Sequence, residues 1–416
     1  MRVVVVGGGV VGLSCAFALH EDGHEVEVVD AAAVGHAASA GNAGWITPTL
    51  ATPLAAPGIL RTGLRSALDP RGALVIRPRL DPLWARWLWG FARSSRPRAF
   101  HAGVAALLGL TRRTLDELDR MHDAGVVFEE HRAGLLTVAR SAHGLEWFDR
   151  VFTELRSLGF EGGITPMNAS EAKELEPALG PDAVQAVHAT IDRHVDPTTL
   201  TEGLRDYVER SGATVREGFA ATVIRRDGIR WRVDASDGRS AEGDAVVVSA
   251  AAGTTALLRQ HGLRVPLIGA KGYSVTVPHP DPTPRLPLYL CEPKLGISPL
   301  AAGLRIAGFF ELGARDASPS AARAQQLVEE ARPFLAGVDG SRIAEGPAGW
   351  AGFRPSTPDS LPLLGPVRGA PGLIVATGHG MLGVTLAPAT GLAVAAVVRG
   401  ESPDWIAPFA PERFGG

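Results

Sequence analysis

Residues 2–30 read RVVVVGGGVVGLSCAFALHEDGHEVEVVD, and this stretch decides the fold of the chain. The β-branched run at 3–6 predicts a strand that is buried on both faces. A G-x-G-x-x-G motif follows, and apolar residues at helical spacing then predict a helix that ends at Gly23. A second valine-rich strand comes next, with Asp30 at its end. This order predicts a βαβ unit at the start of a parallel sheet.

Each glycine of the motif has a physical role. Gly7 fits a tight turn, Gly9 lets the backbone approach a pyrophosphate, and Gly12 lets the helix pack on the sheet. The N-terminus of the helix offers unpaired N–H groups and the positive end of its dipole to the same anion. Asp30 lies about 20 residues beyond the motif, where a carboxylate accepts hydrogen bonds from a ribose. The stretch therefore predicts a dinucleotide site without deciding between NAD and FAD.

The composition is that of a globular protein. The chain has 416 residues, 45% apolar and 20% charged, and its length predicts two domains. A net charge of −3 without a block of Lys or Arg argues against a nucleic-acid partner. The two cysteines, Cys15 and Cys291, are too few for a disulfide framework or a metal cluster, so we expect no metal site and a cytoplasmic protein. No apolar run reaches the roughly 18 residues that a membrane span needs.

Further stretches predict close approach of a large, flat ligand. Residues 31–44 read AAAVGHAASAGNAG and carry almost no bulky side chains. A buried strand at 245–248 runs into the small residues of 249–253, a second place where the sheet meets a cofactor. A second strand–glycine loop–helix unit occupies 373–398, so its helix offers another N-terminus to a negatively charged group.

The middle of the chain predicts amphipathic helices and an antiparallel sheet. Residues 60–124 predict two such helices, broken near Pro97 and rich in Trp and Arg. Their stripe of Trp and Arg either packs on the protein itself or makes a weak peripheral contact with a membrane, and both interpretations stay open. Strands of one antiparallel region are predicted at 270–277, 288–290, 296–300 and 304–310.

Four motifs occur in an order that resembles a known family. They are GNAGWITP at 41–48, AKGYS at 270–274, GFRPSTPDSLPLLG at 352–365 and GHGMLGVTLAPATG at 378–391. Together with the N-terminal motif, they resemble the FAD-dependent D-amino acid oxidase/dehydrogenase superfamily. The nearest branches are the bacterial D-amino acid dehydrogenases and glycine oxidases. The likeness covers essentially the whole chain.

The resemblance implies an α/β fold with two parts. One is a FAD-binding Rossmann domain of the glutathione-reductase type, and the other is an inserted substrate domain built on a mostly antiparallel sheet plus helices. The expected FAD-binding domain is discontinuous and comprises 1–50, 190–265 and 346–416. The expected substrate domain comprises 51–189 and 266–345.

The resemblance also implies FAD as cofactor and a set of residues around it. These residues come from the first turn, the small-residue loop, the strands in the middle of the chain and the last glycine loop. They are Gly7, Gly9, Val10, Val11, Gly12, Asp30, Ala31, Ala38, Ser39, Gly41, Asn42, Ala43, Gly44, Val223, Ala250, Ala251, Gly253, Gly378, His379, Gly380, Met381, Leu382 and Gly383.

Three residues are candidates for the chemistry. The resemblance implies that Arg354 binds the substrate carboxylate through two parallel charge-assisted bonds; the alternative is a structural arginine, which would need an acidic partner. Tyr273 is either a wall or hydrogen-bond donor over the flavin or a core tyrosine. His379 is either a base or a backbone contact of the flavin.

The last glycine motif departs from the glycine oxidases. These enzymes carry a second arginine there, whereas this chain reads Gly380-Met381-Leu382. This departure argues against oxidation of plain glycine and favours a substrate with an apolar side chain or an imino group. Phe309 and Phe310 would narrow and dry the substrate pocket.

The resemblance implies oxidation of the Cα–N bond of a D-amino acid or an N-substituted amino acid. A hydride would pass from the α-carbon to flavin N5, and the resulting imine would hydrolyse to a 2-oxo acid. The electron acceptor would be O₂ or a quinone of the respiratory chain. Two rival functions stay open, an NAD(P)H-dependent flavin hydroxylase and a non-catalytic flavin redox carrier.

Overall fold

The computed structural model describes residues 1–61, 71–338 and 349–415. Its strands, numbered in chain order, are β1 (Arg2–Val6), β2 (Glu25–Val29), β3 (Trp45–Ile46), β4 (Leu74–Ile76), β5 (Glu130–His131), β6 (Leu135–Ala139), β7 (Ile164–Asn168), β8 (Gln185–Ala189), β9 (Arg193–Val195), β10 (Thr214–Arg216), β11 (Ala221–Asp227), β12 (Arg230–Ala235), β13 (Ser240–Gly243), β14 (Ala245–Val248), β15 (Ile268–Val277), β16 (Leu288–Leu290), β17 (Leu295–Leu300), β18 (Gly303–Leu312), β19 (Trp350–Ser356), β20 (Leu363–Pro366) and β21 (Leu373–Thr377).

Helices cover both the sheets and the segments between them. The α-helices in the described residues are α1 (Val10–Glu21), α2 (Pro82–Ser94), α3 (Pro97–Thr111), α4 (Thr114–Asp123), α5 (Ala142–Ser157), α6 (Ala169–Leu175), α7 (Pro197–Arg210), α8 (Thr254–Arg259), α9 (Ala321–Ala331) and α10 (Gly383–Val398). None of the helices that the structure describes combines the length and apolar character that crossing a bilayer requires.

The first sheet begins with the predicted βαβ unit. Its strand order in the described chain is β10-β2-β1-β14-β21-β20, parallel except for β20 at one edge. The valines of β1 are buried because β2 and β14 flank this strand, helix α1 covers one face of the sheet and the three-stranded sheet β11-β12-β13 covers the other. Helix α10 packs directly on α1, since a Cβ at Gly391 would lie 2.3 Å from the carbonyl oxygen of Ser14. The carboxyl ends of β2, β1, β14 and β21 therefore share one edge, where ligands of such sheets bind.

The second sheet is the predicted antiparallel region, extended by strands that the sequence did not reveal. Its order in the described chain is β19-β15-β18-β17-β16-β6-β8-β7, with β4 paired to β18. The neighbours are antiparallel except for the parallel pairs β16–β6 and β18–β4. Tyr273, Val275 and Leu327 belong to the buried core between this sheet and α9. The mixed α/β fold with a mostly antiparallel second sheet is thus confirmed.

The chain passes between the two sheets several times. The domain boundaries stay a prediction. The strand β19, which those boundaries group with the first sheet, is hydrogen-bonded to β15 of the second sheet. The sequence at 350–359 predicts a rigid segment rather than a strand, because Pro355 and Pro358 restrict its backbone, and the structure corrects this prediction.

The helical predictions for the middle of the chain need small corrections. Residues 60–124 contain α2, α3 and α4 instead of two helices, and 62–70 lie outside the described residues. The spacing of Asn168 and Glu171 in the sequence predicts a capping box and a helix over 169–179. Helix α6 starts there, and the two side chains bond each other's backbone amides. This helix ends at Leu175 rather than at 179, because Pro177 cannot continue it and the buried Glu176 carboxylate accepts the amides of Ala178, Arg285 and Leu286.

Candidate cofactor and substrate site

The first glycine loop has the geometry that its motif predicts. Gly7 has φ 109°, and a Cβ there would lie 2.5 Å from the carbonyl oxygen of Ser249 at the end of β14. A Cβ at Gly12 would lie 1.8 Å from the Gly7 carbonyl oxygen, so α1 starts directly against the turn. Within the described chain, a Cβ at Gly9 would meet Ser39 Oγ alone, at 3.3 Å. The backbone at Gly9 therefore faces a space that a ligand can enter.

The start of α1 suits a diphosphate. The Ser39 hydroxyl accepts the amide of Val10 at 3.0 Å and thereby draws the small-residue loop onto the helix. Gly9 at the N-cap supplies no side-chain cap, and the first turn of α1 contains no acidic residue. The positive end of this helix is thus not neutralised by its own residues, and an anion would be stabilised there.

Asp30 fastens the glycine loop to the end of β2. Its carboxylate accepts the amides of Gly8 at 2.6 Å and Ala32 at 2.8 Å. A carboxylate has about four acceptor positions, so room remains for a ribose hydroxyl. The ribose role stays a prediction. The amide of Phe219 bonds the Asp30 carbonyl oxygen, which brings the chain leading to Val223 close to the end of β2.

The remaining predicted cofactor residues lie in the loop after β2, on β11 of the three-stranded sheet and in the turn after β14. Ala31 is exposed and Ala38 half-buried in the loop after β2, while Val223 is 37% exposed on β11. Ala250, Ala251 and Gly253 form the turn that leaves β14, with Ala251 at φ 45°. Their contact with FAD stays a prediction.

The second sheet holds the small-residue loop in place. Arg305 of β18 donates to the carbonyl oxygens of Ala40 at 2.9 Å and Asn42 at 3.1 Å, and burial lowers the pKa of its guanidinium. Ser298 of β17 donates to the Ala43 carbonyl oxygen at 2.6 Å. Sequence reasoning missed both residues, because no motif marks them. The second sheet thus holds the small-residue loop in position.

Trp350 explains one small residue that the sequence assigned to the flavin. A Cβ at Gly41 would lie 2.0 Å from Cε3 of Trp350, and a Cβ at Gly352 would lie 2.2 Å from Cη2 of the same ring. The indole therefore lies between the loop and β19. The small size of Gly41 predicted contact with the flavin, but the group that needs this space is the Trp350 indole. Sequence reasoning missed the role of Trp350, although this residue lies only two positions before the recognised motif at 352–365.

The last glycine loop contacts the end of β19. The Gly380 amide donates to the Pro355 carbonyl oxygen at 2.9 Å, and Ser356 forms a β-bridge with His379. Gly378 and Gly380 have φ 78° and 56°, which glycine adopts readily. Helix α10 then begins at Gly383 without a side-chain cap and without an acidic residue in its first turn. A second uncompensated helix N-terminus therefore lies beside β19, after the half-exposed Met381 and the buried Leu382.

His379 is buried and directed into α10. Its Nε2 lies 3.0 Å from the Thr390 hydroxyl, which itself donates to the Leu386 carbonyl oxygen. Nε2 must therefore carry the proton and donate it to Thr390. Burial lowers the pKa of His379 to about 3, so the ring is neutral at physiological pH. This arrangement favours the contact role over the role of a base.

Arg354 lies half-buried on β19 without an acidic partner among the described residues. Its Nη1 donates to the Phe309 carbonyl oxygen at 3.0 Å, and its Cζ lies 4.6 Å from the centre of the Phe310 ring. A Cβ at Gly272 would lie 1.8 Å from Nη1, so the guanidinium covers this glycine. Burial lowers the pKa of Arg354 to about 10, and the group still carries its charge at neutral pH. A purely structural arginine would need an acidic partner, and Arg354 has none among the described residues.

Tyr273 lies on the opposite face of the second sheet from Arg354. In the pairing of β15 with β19, Arg354 is opposite Ala270 and Tyr273 is opposite Ala351, and successive side chains alternate between faces. The Tyr273 hydroxyl donates to Glu311 at 2.7 Å, and burial raises the pKa of this phenol. The position agrees with the core interpretation and places the ring away from the guanidinium.

Comparisons with known proteins agree with this geometry. The family model for FAD dependent oxidoreductases (DAO) matches residues 2–397. A D-amino acid dehydrogenase of Cereibacter sphaeroides is 33% identical over 411 residues, which are 97% of this chain and 93% of that protein.

Two solved structures share the fold over nearly the whole chain. Glycine oxidase from Geobacillus kaustophilus has a TM-score of 0.77 at 24% identity and covers 100% of both chains. Iminodiacetate oxidase from Chelativorans has a TM-score of 0.72 at 23% identity and covers 99% of both chains.

Three observations point to the same cofactor. They are the open backbone at Gly9, the helix N-termini of α1 and α10 without acidic residues, and the family match. This chain belongs to the family of FAD-dependent oxidoreductases that includes the D-amino acid dehydrogenases, and FAD is its cofactor.

Proposed function

We propose that this enzyme oxidises the Cα–N bond of a D-amino acid or an N-substituted amino acid. The substrate would lose a hydride from the α-carbon and a proton from nitrogen, and water would hydrolyse the resulting imine to a 2-oxo acid. Bound FAD would supply the hydride acceptor, its N5. The observation that carries the proposal is the half-buried guanidinium of Arg354, which has no acidic partner among the described residues.

The residues around Arg354 support a carboxylate ligand. One edge of the guanidinium is held by the Phe309 carbonyl oxygen and one face by the Phe310 ring. The other N–H groups make no hydrogen bond within the described chain, so they are available for two parallel bonds to a carboxylate. The apolar surroundings strengthen such a pair by excluding water.

The same surroundings favour an apolar or N-substituted substrate. Trp350 and Gly352 share the Arg354 face of β19, and Phe310 covers the guanidinium from β18. The loop at 380–382 supplies no charge, in contrast to the glycine oxidases that the sequence resembles. A relative with the same fold is named iminodiacetate oxidase, which agrees with an imino substrate.

The test is anaerobic bleaching of the flavin by a panel of D-amino acids and N-alkyl amino acids. Arg354→Met should lower kcat/KM for carboxylate substrates by a factor that corresponds to about 2–5 kcal/mol of lost transition-state stabilisation. Arg210→Met, which removes an exposed arginine, is the matched control. Activity should rise between about pH 6 and pH 10 as the substrate amine loses its proton. An Arg354→Met enzyme within threefold of wild type, or a flat pH profile, would contradict the proposal.

The two rival functions have distinct outcomes. A flavin hydroxylase would consume NADPH in the presence of O₂. A redox carrier would show no bleaching by any member of the panel. Admitting air or a quinone after anaerobic reduction identifies the electron acceptor.

We also propose that α2 makes the peripheral membrane contact. Trp84 and Trp87 pack inward, whereas Trp89 is 70% exposed and lies between Arg86 and Arg93 on the opposite face. An exposed tryptophan flanked by arginines suits the interface of an anionic bilayer.

Flotation with vesicles tests this contact. The protein should float with phosphatidylglycerol vesicles and not with phosphatidylcholine vesicles. Trp89→Ser should abolish the effect, and Ile229→Ser, which changes another exposed apolar residue, should not. Equal flotation of Trp89→Ser and wild type would refute the assignment to α2.

A further inference from the structure

The strand β18 is irregular directly beside Arg354. Phe309 and Phe310 together face the single Gly272 of β15, because the register of the two strands shifts there. Two residues against one is the definition of a β-bulge, and bulges often re-aim groups next to active sites.

Phe309 adopts a backbone conformation that its residue type disfavours. Its φ is 58°, in the left-handed region where glycine is the usual residue. A non-glycine residue is strained there. The Phe309 side chain is 4% exposed and belongs to the core under α9. Packing of this ring therefore holds a strained residue in place.

The bulge turns the Phe309 carbonyl oxygen toward the substrate face. That oxygen accepts Nη1 of Arg354 at 3.0 Å. The next residue, Phe310, places its ring 4.6 Å from Cζ of the same guanidinium. Gly272 opposite the bulge leaves space for the guanidinium, since a Cβ there would lie 1.8 Å from Nη1. Both strands of the irregular pair are thus shaped around Arg354.

The bulge has a purely structural alternative role. The strand β18 pairs with β17 along residues 303–307 and with β4 along residues 310–312. A bulge between these two stretches could serve only to let β18 leave its pairing with β17 and begin its pairing with β4. In that case the carbonyl contact with Arg354 would have no consequence for the substrate.

We infer that Phe309 is a positioning residue for the carboxylate clamp. Its left-handed backbone aims a carbonyl oxygen at one edge of the Arg354 guanidinium, and this fixes the opposite edge for the substrate carboxylate. The inference rests on the proposed function of Arg354.

Two isomeric variants separate backbone from side-chain volume. Phe309→Leu and Phe309→Ile leave cavities of similar size, but isoleucine is β-branched and disfavours the left-handed region more strongly. We expect KM for the carboxylate substrate to be about tenfold higher in Phe309→Ile than in Phe309→Leu, equal to about 1.4 kcal/mol. Flavin content and thermal unfolding of both variants establish that they are folded and loaded.

A double-mutant cycle excludes a merely structural effect. In the Arg354→Met background, the difference between the Ile and Leu variants should disappear, because the carbonyl then has no guanidinium to hold. The same difference should be absent with an amine substrate that lacks a carboxylate.

The outcomes distinguish the inference from the function on which it rests. Equal KM values for Phe309→Ile and Phe309→Leu, with a large loss in Arg354→Met, would overturn the positioning role alone. A difference that persists in the Arg354→Met background would also overturn it. Wild-type kinetics in Arg354→Met would overturn the clamp and the positioning role together.

Discussion

Replacing Gly41 by alanine tests whether the indole of Trp350 lies against the small-residue loop. The added Cβ would lie 2.0, 2.1 and 2.4 Å from three ring atoms, closer than any real contact. The ring has little room to retreat toward β19, because its other end lies directly over the backbone of Gly352, where even an added Cβ would be 2.2 Å from Cη2. Either the loop or the indole must move.

The cost follows from overpacking. Extra methyl groups in a well-packed site typically destabilise by about 1–3 kcal/mol. If the displaced loop is the one that holds FAD, the same energy appears as weaker cofactor binding. The expected loss in FAD affinity is then between about fivefold and about 150-fold.

The assay is titration of apoprotein with FAD, followed by flavin fluorescence. Gly109→Ala in α3 is the matched control, since nothing in the described chain lies within 4 Å of a Cβ there. The double variant Gly41→Ala/Trp350→Ala should recover part of the affinity, because it removes the ring that clashes. A Gly41→Ala protein that binds FAD like wild type would refute the reasoning, and so would a double variant no better than the single one.

Three further predictions concern buried polar groups. Burial lowers the pKa of His379 to about 3, so the free energy of unfolding should fall as pH drops from about 6.5 toward 3, and His379→Gln should flatten that fall in urea titrations. Burial raises the pKa of Asp192 to about 7, so the stability that its protonated form provides is lost between about pH 4 and pH 7. Asp192→Asn should therefore be more stable than wild type at pH 8 if the amide oxygen still accepts the Thr49 hydroxyl. Tyr273→Phe should cost about 1 kcal/mol of stability through the lost bond to Glu311, while kcat/KM changes less than threefold, as steady-state kinetics would show.

Local signals explain which parts of the fold were predictable. The units β1–α1–β2 and β21–loop–α10 combine a β-branched run, glycines and helical periodicity within about 30 residues. The strand β19 escaped because Gly352 and Pro355 break its pattern. Proline is tolerated there because β19 is an edge strand, where an N–H facing away from the sheet needs no partner.

The site residues that escaped prediction depend on pairing between distant segments. Arg305 holds a loop more than 260 residues earlier in the chain, and Trp350 contacts Gly41 across a similar separation. The face of Tyr273 depends on the register between β15 and β19, and a shift of one residue would have placed it beside Arg354. The spacing of residues within one segment does not reveal how that segment pairs with a distant strand.

The strand β19 connects the expected cofactor site to the proposed substrate site. Its first residue, Trp350, contacts the small-residue loop, and Arg354 is the proposed carboxylate ligand. Near its end, the Pro355 carbonyl oxygen holds the last glycine loop through Gly380. Because a strand is stiff along its length, a displacement at any of these contacts moves the other two. Substitutions of Gly41 that weaken FAD binding should therefore also raise KM for the carboxylate substrate, even though this glycine does not contact Arg354.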